Sequence, residues 1–70
     1  MNLNDAVLGR EYIITDIVTD DEELDAFLFS LGCYSGEPIT VVSRRKKTCV
    51  MAIKDARYSI DNALAAAIQI

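Results

Sequence analysis

The sequence predicts a mostly β fold: a small antiparallel barrel with one inserted α-helix and a short C-terminal helical turn, in a single domain over residues 1–70. Three observations lead to this fold class. Short β-branched runs recur along the chain and are separated by turn residues, as in antiparallel strands. One amphipathic helix, between Thr19 and Gly32, interrupts these runs. Seventy residues suffice for one thin core, with little room for an enclosed active site.

The predicted strands are short, and the first of them changes face. It covers Glu11–Val18, where Tyr12 and Ile14 share one face while Ile17 falls on the other, so we expect a bulge or bend within it. The second strand is Ile39–Ser43. The predicted elements that follow are a basic connector Arg44–Lys47, a strand Thr48–Lys54, a turn Asp55–Ala56, a strand Arg57–Ile60 and a helical turn from an N-cap at Asp61 to Ala67.

The helix has clear start and stop signals. Thr19 followed by Glu22 fits a capping box, and Asp20 before Glu23 is the same signal one residue later. Gly32 follows the last periodic leucine, where a left-handed residue usually ends a helix. Four apolar residues at i, i+3, i+4 and i+7 are expected to face the core: Leu24, Phe27, Leu28 and Leu31.

The charges are divided unevenly between the two halves of the chain. Residues 1–37 hold nine acids and only Arg10 as a base, whereas residues 38–70 hold six bases with Asp55 and Asp61. A pI near 4.5 argues against general nucleic-acid binding, which needs a broad basic face. A basic connector on an acidic body favours a local contact with a protein instead.

The chain lacks the usual apparatus of catalysis, metal binding and membrane insertion. No phosphate loop, nucleophile elbow or histidine is present, so we predict neither an enzyme nor a cofactor. Cys33 and Cys49 have no ligand partners and are predicted to be buried thiols. The longest apolar run, Ala63–Ile68, is too short to span a bilayer, and residues 1–11 lack a signal peptide, so we expect a cytoplasmic protein.

An acidic run and three tyrosines suggest sites, but ordinary structural roles explain both better. The acids Asp20–Asp25 could attract a hard divalent cation, although acids in a first helical turn are expected there from the helix dipole alone. Three tyrosines could line a peptide groove, although their spread over different elements favours core and turn roles: Tyr12, Tyr34 and Tyr58.

Two features remain as hypotheses for partner binding. Phe29 lies away from the apolar helix face, so it either packs under a loop or offers an aromatic anchor to a partner or second subunit, and we slightly favour burial. The connector is equally consistent with a docking loop and with a solvated hairpin tip that prevents edge pairing. The partner-binding residues under test are therefore Phe29, Arg44, Arg45, Lys46 and Lys47.

The order and spacing of the motifs resemble the FeoA family of small cytoplasmic accessory proteins of bacterial ferrous iron uptake. That pattern covers nearly the whole chain, although no single motif in it is specific. The matching segments are Leu3 to Gly9, Tyr12 to Ile17, Leu31-Gly32, Ser35-Gly36, Ile39-Thr40-Val41 and Ile60 to Ile70, with Leu64, Ala65, Ile68 and Ile70 in place. The resemblance implies an SH3-like barrel that binds the cytoplasmic part of the membrane ferrous transporter FeoB and does no catalysis itself.

Three departures from the family pattern keep a second interpretation open. Ser35 replaces the usual proline, Asp55 stands where glycine is common, and the Arg44–Lys47 hairpin lacks a longer loop of many members. The alternative is a divergent paralogue with another protein partner, related to the C-terminal regulatory domain of iron-dependent repressors. A weak homo-oligomer is compatible with either interpretation.

Overall fold

Six β-strands, two α-helices and an opening 3-10 turn make up the chain in a computed structural model that describes residues 1–70. In chain order the elements are the 3-10 turn Leu3–Asp5, β1 Glu11–Ile13, β2 Asp16–Ile17, α1 Glu22–Leu31, β3 Pro38–Arg44, β4 Thr48–Ile53, β5 Ala56–Asp61, α2 Asn62–Ala67 and β6 Ile68–Gln69. Four strands form an antiparallel sheet in the order β1-β3-β4-β5, and β2 pairs with β6 in a second antiparallel ladder. The mostly β fold class predicted from the sequence is confirmed.

The first predicted strand is split between the two sheets. β1 pairs with β3, whereas β2 pairs with β6, so the chain leaves one sheet and enters the other between Ile13 and Asp16. Ile14, at this corner, is buried, and its N–H donates to the carbonyl of Glu37 at 2.9 Å. The expected bend therefore exists, and it is the corner that connects the four-stranded sheet with the two-stranded ladder.

The hairpin of β4 and β5 has the predicted alternation and a different turn. Every second residue of β4, from Cys49 to Ile53, is buried. The turn is Lys54–Asp55 rather than Asp55–Ala56, because Ala56 already pairs with Ile53 in the sheet. Both turn residues have positive φ, 48° and 65°, as a two-residue type I′ hairpin requires.

The start of α1 lies later in the chain than the capping-box pattern predicts. Asp21 is the N-cap, and its carboxylate accepts from the N–H of Glu23 at 2.9 Å. The Thr19 hydroxyl instead accepts from the N–H of Asp21 at 3.1 Å, so it supports the cap without being the cap. The predicted caps at Thr19 and Asp20 are wrong, while Gly32, with φ 95°, ends the helix as expected.

The apolar face of α1 is only partly buried, which corrects the expectation that all four residues face the core. Leu28 is fully buried and Leu31 is half-buried, whereas Leu24 and Phe27 keep 37% and 47% of their surface exposed. The core is already filled by a cluster of 13 buried residues drawn mainly from the strands and the C-terminal segment. A domain of this size buries only about 60% of the surface that its unfolded chain exposes, so part of the apolar face of α1 stays at the surface.

Candidate interaction surface

Arg44 is anchored to the start of the chain rather than projecting freely with the other basic residues. It is the last residue of β3, and one guanidinium nitrogen donates to the carbonyls of Leu3 and Ala6, both at 3.1 Å. These carbonyls belong to the opening 3-10 turn and its C-cap. Of the four basic candidates, Arg44 therefore has a structural role that its charge alone did not reveal.

Because Arg44 belongs to β3, the exposed part of the predicted basic connector is Arg45, Lys46 and Lys47, and from here on the name refers to these three residues. Asn62, the first residue of α2, fixes it from behind. The Asn62 N–H donates to the Lys47 carbonyl at 3.0 Å, and its side-chain amide donates to the Lys46 carbonyl at 2.9 Å. The backbone of the connector is thus held in place, and its three cationic side chains are available to a partner.

Phe29 is exposed, contrary to the slight preference for burial. It keeps 66% of its surface accessible, and its ring lies 5.0 Å from the ring of Tyr34 at an angle of 37°. Lys54 covers Tyr34, with Nζ 5.0 Å from the ring centroid and 3.3 Å from a carboxylate oxygen of Glu37. Contact with the Tyr34 side chain is the main cause that raises the pKa of Lys54, and the Glu37 carboxylate raises it further. The amine therefore stays charged at neutral pH.

The basic connector and Phe29 lie at opposite ends of the barrel. The connector immediately precedes β4, whereas Lys54, which joins Phe29 through Tyr34, immediately follows it. Six residues of strand separate the two, which is about 20 Å. The exposed candidate residues predicted from the sequence therefore form two separate surfaces, one at the basic connector and one at Phe29.

An apolar groove lies at the connector end, between the start of α1 and α2. Its volume is about 300 Å³, and six of its eight lining residues are hydrophobic. Val18 and Leu24, which contribute to one wall, are both exposed, at 58% and 37%. The lining residues are Val18, Thr19, Leu24, Asp61, Ala63, Leu64, Ala66 and Ala67. We refer to this feature as the α1–α2 groove.

The sequence did not reveal the groove because both of its walls resemble core segments. Leu24 has the spacing of a core residue, and Ala63–Ala67 reads as a short buried turn. One signal was available: Leu24 sits in the first turn of α1, directly beside Asp21, Glu22, Glu23 and Asp25. Aspartate and glutamate are almost never fully buried, so a helical turn that holds several of them stays close to solvent, and Leu24 with it.

The two cysteines are buried, free thiols, as predicted. Burial raises the pKa of the Cys33 thiol to about 11, and burial also raises that of Cys49, partly offset by Arg44. The Sγ of Cys33 lies 4.0 Å from the Sδ of Met51 within the core. These thiols are protonated at neutral pH and are therefore poor nucleophiles and poor metal ligands.

The acidic run lies at the start of α1, where Asp21 is the N-cap, and the three tyrosines lie on different parts of the chain. Nowhere do three or more histidine, cysteine, aspartate or glutamate side chains come together as a cation site would require. Tyr12 and Tyr58 pack against the core, and the Tyr12 hydroxyl accepts from the N–H of Val7 at 3.0 Å. A second, more polar cleft of about 420 Å³ lies across β1, β3 and β4, and its lining includes no tyrosine.

The family model that describes the FeoA domain matches residues 1–70 of the chain. The chain belongs to the FeoA domain family. No curated protein matches the chain in sequence. No helix of the chain is both long and apolar enough to cross a membrane.

Solved structures show the same fold at low sequence identity. A manganese-dependent transcriptional repressor superimposes with a TM-score of 0.88 at 21% identity, covering 97% of this chain but only 39% of the repressor. An iron uptake regulatory protein, FeoA, superimposes with a TM-score of 0.84 at 21% sequence identity, covering 94% of this chain and 88% of that protein. FeoA of Stenotrophomonas maltophilia complexed with zinc, a prokaryotic SH3 domain protein, superimposes with a TM-score of 0.85 at 15% sequence identity. The match covers 97% of this chain and 86% of that protein. The barrel is therefore SH3-like.

The departures from the family pattern leave the turns of this FeoA domain intact. Ser35 donates its hydroxyl to the Thr15 carbonyl, and the N–H of Gly36 donates to the Ile14 carbonyl at 2.8 Å. Asp55 adopts a φ of 65°, which aspartate tolerates better than most residues. The short hairpin is closed by the Arg45 N–H, which donates to the Thr48 carbonyl at 2.8 Å.

Proposed function

We propose that this FeoA domain is a cytoplasmic accessory protein of ferrous iron uptake that binds the cytoplasmic part of a FeoB-type transporter and supports its activity. The observation that carries the proposal is the match of the family model to all of residues 1–70. The S. maltophilia protein, described as a candidate ferrous iron transport activating factor, supports the same role. In this proposal the domain contributes a contact surface, and the transporter itself moves the iron.

The basic connector is the first surface proposed to contact the transporter. Its three cationic side chains are exposed, while Asn62 fixes the backbone beneath them, so little ordering is needed on binding. Phe29 is the second, because an aromatic ring that stays 66% exposed is a suitable anchor. Since the two lie at opposite ends of the barrel, we propose that they make separate contacts. Arg44 acts indirectly by holding the opening turn.

The test is calorimetric titration of the full chain with the GTP-binding cytoplasmic region and with full-length FeoB from the same cell, with and without GTP. We expect saturable binding that the double variant Lys46→Glu/Lys47→Glu weakens at least about tenfold, because rim charges control association. The matched control is Arg10→Glu/Arg57→Glu, which changes the net charge equally at two exposed bases elsewhere. Absence of binding to either form would contradict the proposed function.

A second candidate is a regulatory module that binds a different protein. The observation that favours it is the TM-score of 0.88 to part of a manganese-dependent transcriptional repressor. Affinity purification with the full chain as bait separates the two. Recovery of the transporter supports the first function, and recovery of a transcription factor in its absence supports the second. The connector variants serve as bait controls in both cases.

A further inference from the structure

The α1–α2 groove is apolar and open, so it can accept side chains from another chain. Ala63 and Ala66 of α2 are exposed small residues on one side, and Leu24 of α1 is exposed on the other. Phe27 lies one turn beyond Leu24 on the same helix face and extends the apolar surface out of the groove, with 47% exposed. At about 300 Å³ the groove is at the lower end of the size of ligand pockets, which suits one or two bulky side chains.

The charges around the α1 wall are negative and have no ion-pair partner within the chain. Five carboxylates lie within or just before the first turn of α1: Asp20, Asp21, Glu22, Glu23 and Asp25. All five are exposed, and the one ion pair of the chain joins Lys54 to Glu37 at the other end of the barrel. Asp61 adds a sixth carboxylate to the lining of the groove itself.

The charge changes sign at the N-terminal end of α2. Asn62, which follows Asp61, binds the carbonyls of Lys46 and Lys47, so the basic connector lies just past that end of the helix. A segment that occupies the groove therefore meets acids along the α1 wall and bases beyond the start of α2. This arrangement selects both the composition of the segment and its direction.

We propose that the α1–α2 groove binds an amphipathic segment of a partner protein, which inserts one or two bulky apolar side chains and places basic residues against the start of α1. The apolar lining supplies the anchor site, and the unpaired carboxylates supply the charge complementarity. This surface is distinct from Phe29 and does not depend on which protein supplies the segment. A short peptide therefore tests it separately from the transporter.

The same charges disfavour the other occupants of such a groove. An anionic lipid surface is repelled by the five carboxylates next to Leu24. A second copy of this chain placed symmetrically would bring those carboxylates against each other, because a two-fold contact uses the same patch on both subunits. A basic segment of another protein meets neither obstacle.

The experiment titrates the full isotope-labelled chain with a synthetic twelve-residue amphipathic peptide of leucine and lysine, followed by amide NMR. Two matched peptides replace every lysine by glutamate or every leucine by serine. We expect saturable shifts at Val18, Leu24 and Ala63–Ala67 with the first peptide, and at least about tenfold weaker binding with both others. Raising the salt concentration should also weaken the binding of the first peptide, because salt screens the attraction between exposed charges.

Variants of the chain assign the effect to the groove. The triple variant Asp20→Asn/Glu22→Gln/Glu23→Gln leaves the Asp21 cap in place. It should weaken the binding of the leucine-lysine peptide about fivefold, because each exposed ion pair contributes little to the binding free energy. Its control, Glu11→Gln/Asp16→Asn/Asp55→Asn, removes equal charge at exposed sites outside the groove and should have no effect. Leu24→Gln should abolish saturation, whereas Leu8→Gln, at an apolar site 50% exposed outside the groove, should not.

Three results would overturn the proposal. Equal binding of the lysine and glutamate peptides would remove the charge argument, and shifts confined to residues outside the groove would remove the site. Concentration-dependent shifts at the groove without peptide, together with a dimer in sedimentation, would identify a second copy as the occupant instead. Thermal unfolding of each variant checks that it is folded before its binding is compared.

Discussion

The central sheet and helix α1 read equally well as amphipathic in the sequence, yet they differ in how much they bury. In β4 every second residue is buried, whereas α1 buries Leu28 alone and leaves Leu24 and Phe27 exposed. Strands β3 to β5 are joined by tight hairpins, so each apolar face is placed against its neighbours by local connections. No local connection places α1 against the sheet in the same way. The core offers it only a small apolar surface, which covers Leu28.

The largest expected effect sharpens this difference within α1. Leu28→Ala should lower the free energy of unfolding by about 2–5 kcal/mol, because it leaves a cavity under a side chain with no exposed surface. Leu24→Ala, on the same helix face, should cost less than about 1 kcal/mol. Urea unfolding of both variants measures the difference. Equal losses would mean that Leu24 is part of the core.

A smaller effect is expected where α1 ends. Gly32 has φ 95°, and a Cβ there would lie 2.7 Å from the side chain of Lys54, whereas Gly36, with φ 92°, has open space around it. Both alanine substitutions should cost about 1–2 kcal/mol for the left-handed conformation. Gly32→Ala should in addition displace Lys54 from Tyr34. Thermal unfolding and the amide shifts of Tyr34 test this, and an unmoved Tyr34 would contradict it.

The cap of α1 provides the next comparison. Asp21→Ala should cost about 1 kcal/mol, because the carboxylate accepts from the N–H groups of Glu23 and Leu24. Thr19→Ala should cost less, since the Thr19 hydroxyl accepts a hydrogen bond only from the N–H before the helix. Chemical unfolding ranks the two variants. A larger loss at Thr19 would restore the capping box that the sequence pattern suggested.

The smallest expected effect belongs to the exposed aromatic. Phe29→Ala should change the free energy of unfolding by less than about 0.5 kcal/mol, because the side chain stays 66% exposed beside Tyr34. The midpoint of thermal unfolding measures it. A loss of partner binding at unchanged stability would support the anchor, and a loss of stability comparable to that of Leu28→Ala would show that the ring is structural.

The parts of the fold that could be predicted are those set by neighbours in sequence. The alternation of β4, the Gly32 stop and the Asp61 cap depend on a few adjacent residues. The split of Glu11–Val18 into two strands depends on distant partners, Ile39 for Tyr12 and Ile68 for Ile17, which local periodicity does not encode. Only the face change at Ile17 indicated it.

The candidate surface was predictable in part for the same reason. The basic connector is a continuous run of charge, so its exposure follows from the sequence alone. The role of Arg44 depends on carbonyls 38 to 41 residues away, and the groove depends on segments that meet only in the fold. Phe29 was misplaced because a helical wheel shows where a side chain points without showing whether anything covers it.

Binding of the FeoB cytoplasmic region to the isotope-labelled full chain can be mapped from amide shifts and line broadening, which show directly which surface of the domain contacts the transporter. We expect saturable changes at the basic connector and at Asn62, which fixes it, with separate changes around Phe29. Changes absent from both surfaces at saturating FeoB, or confined to the polar cleft, would contradict this expectation.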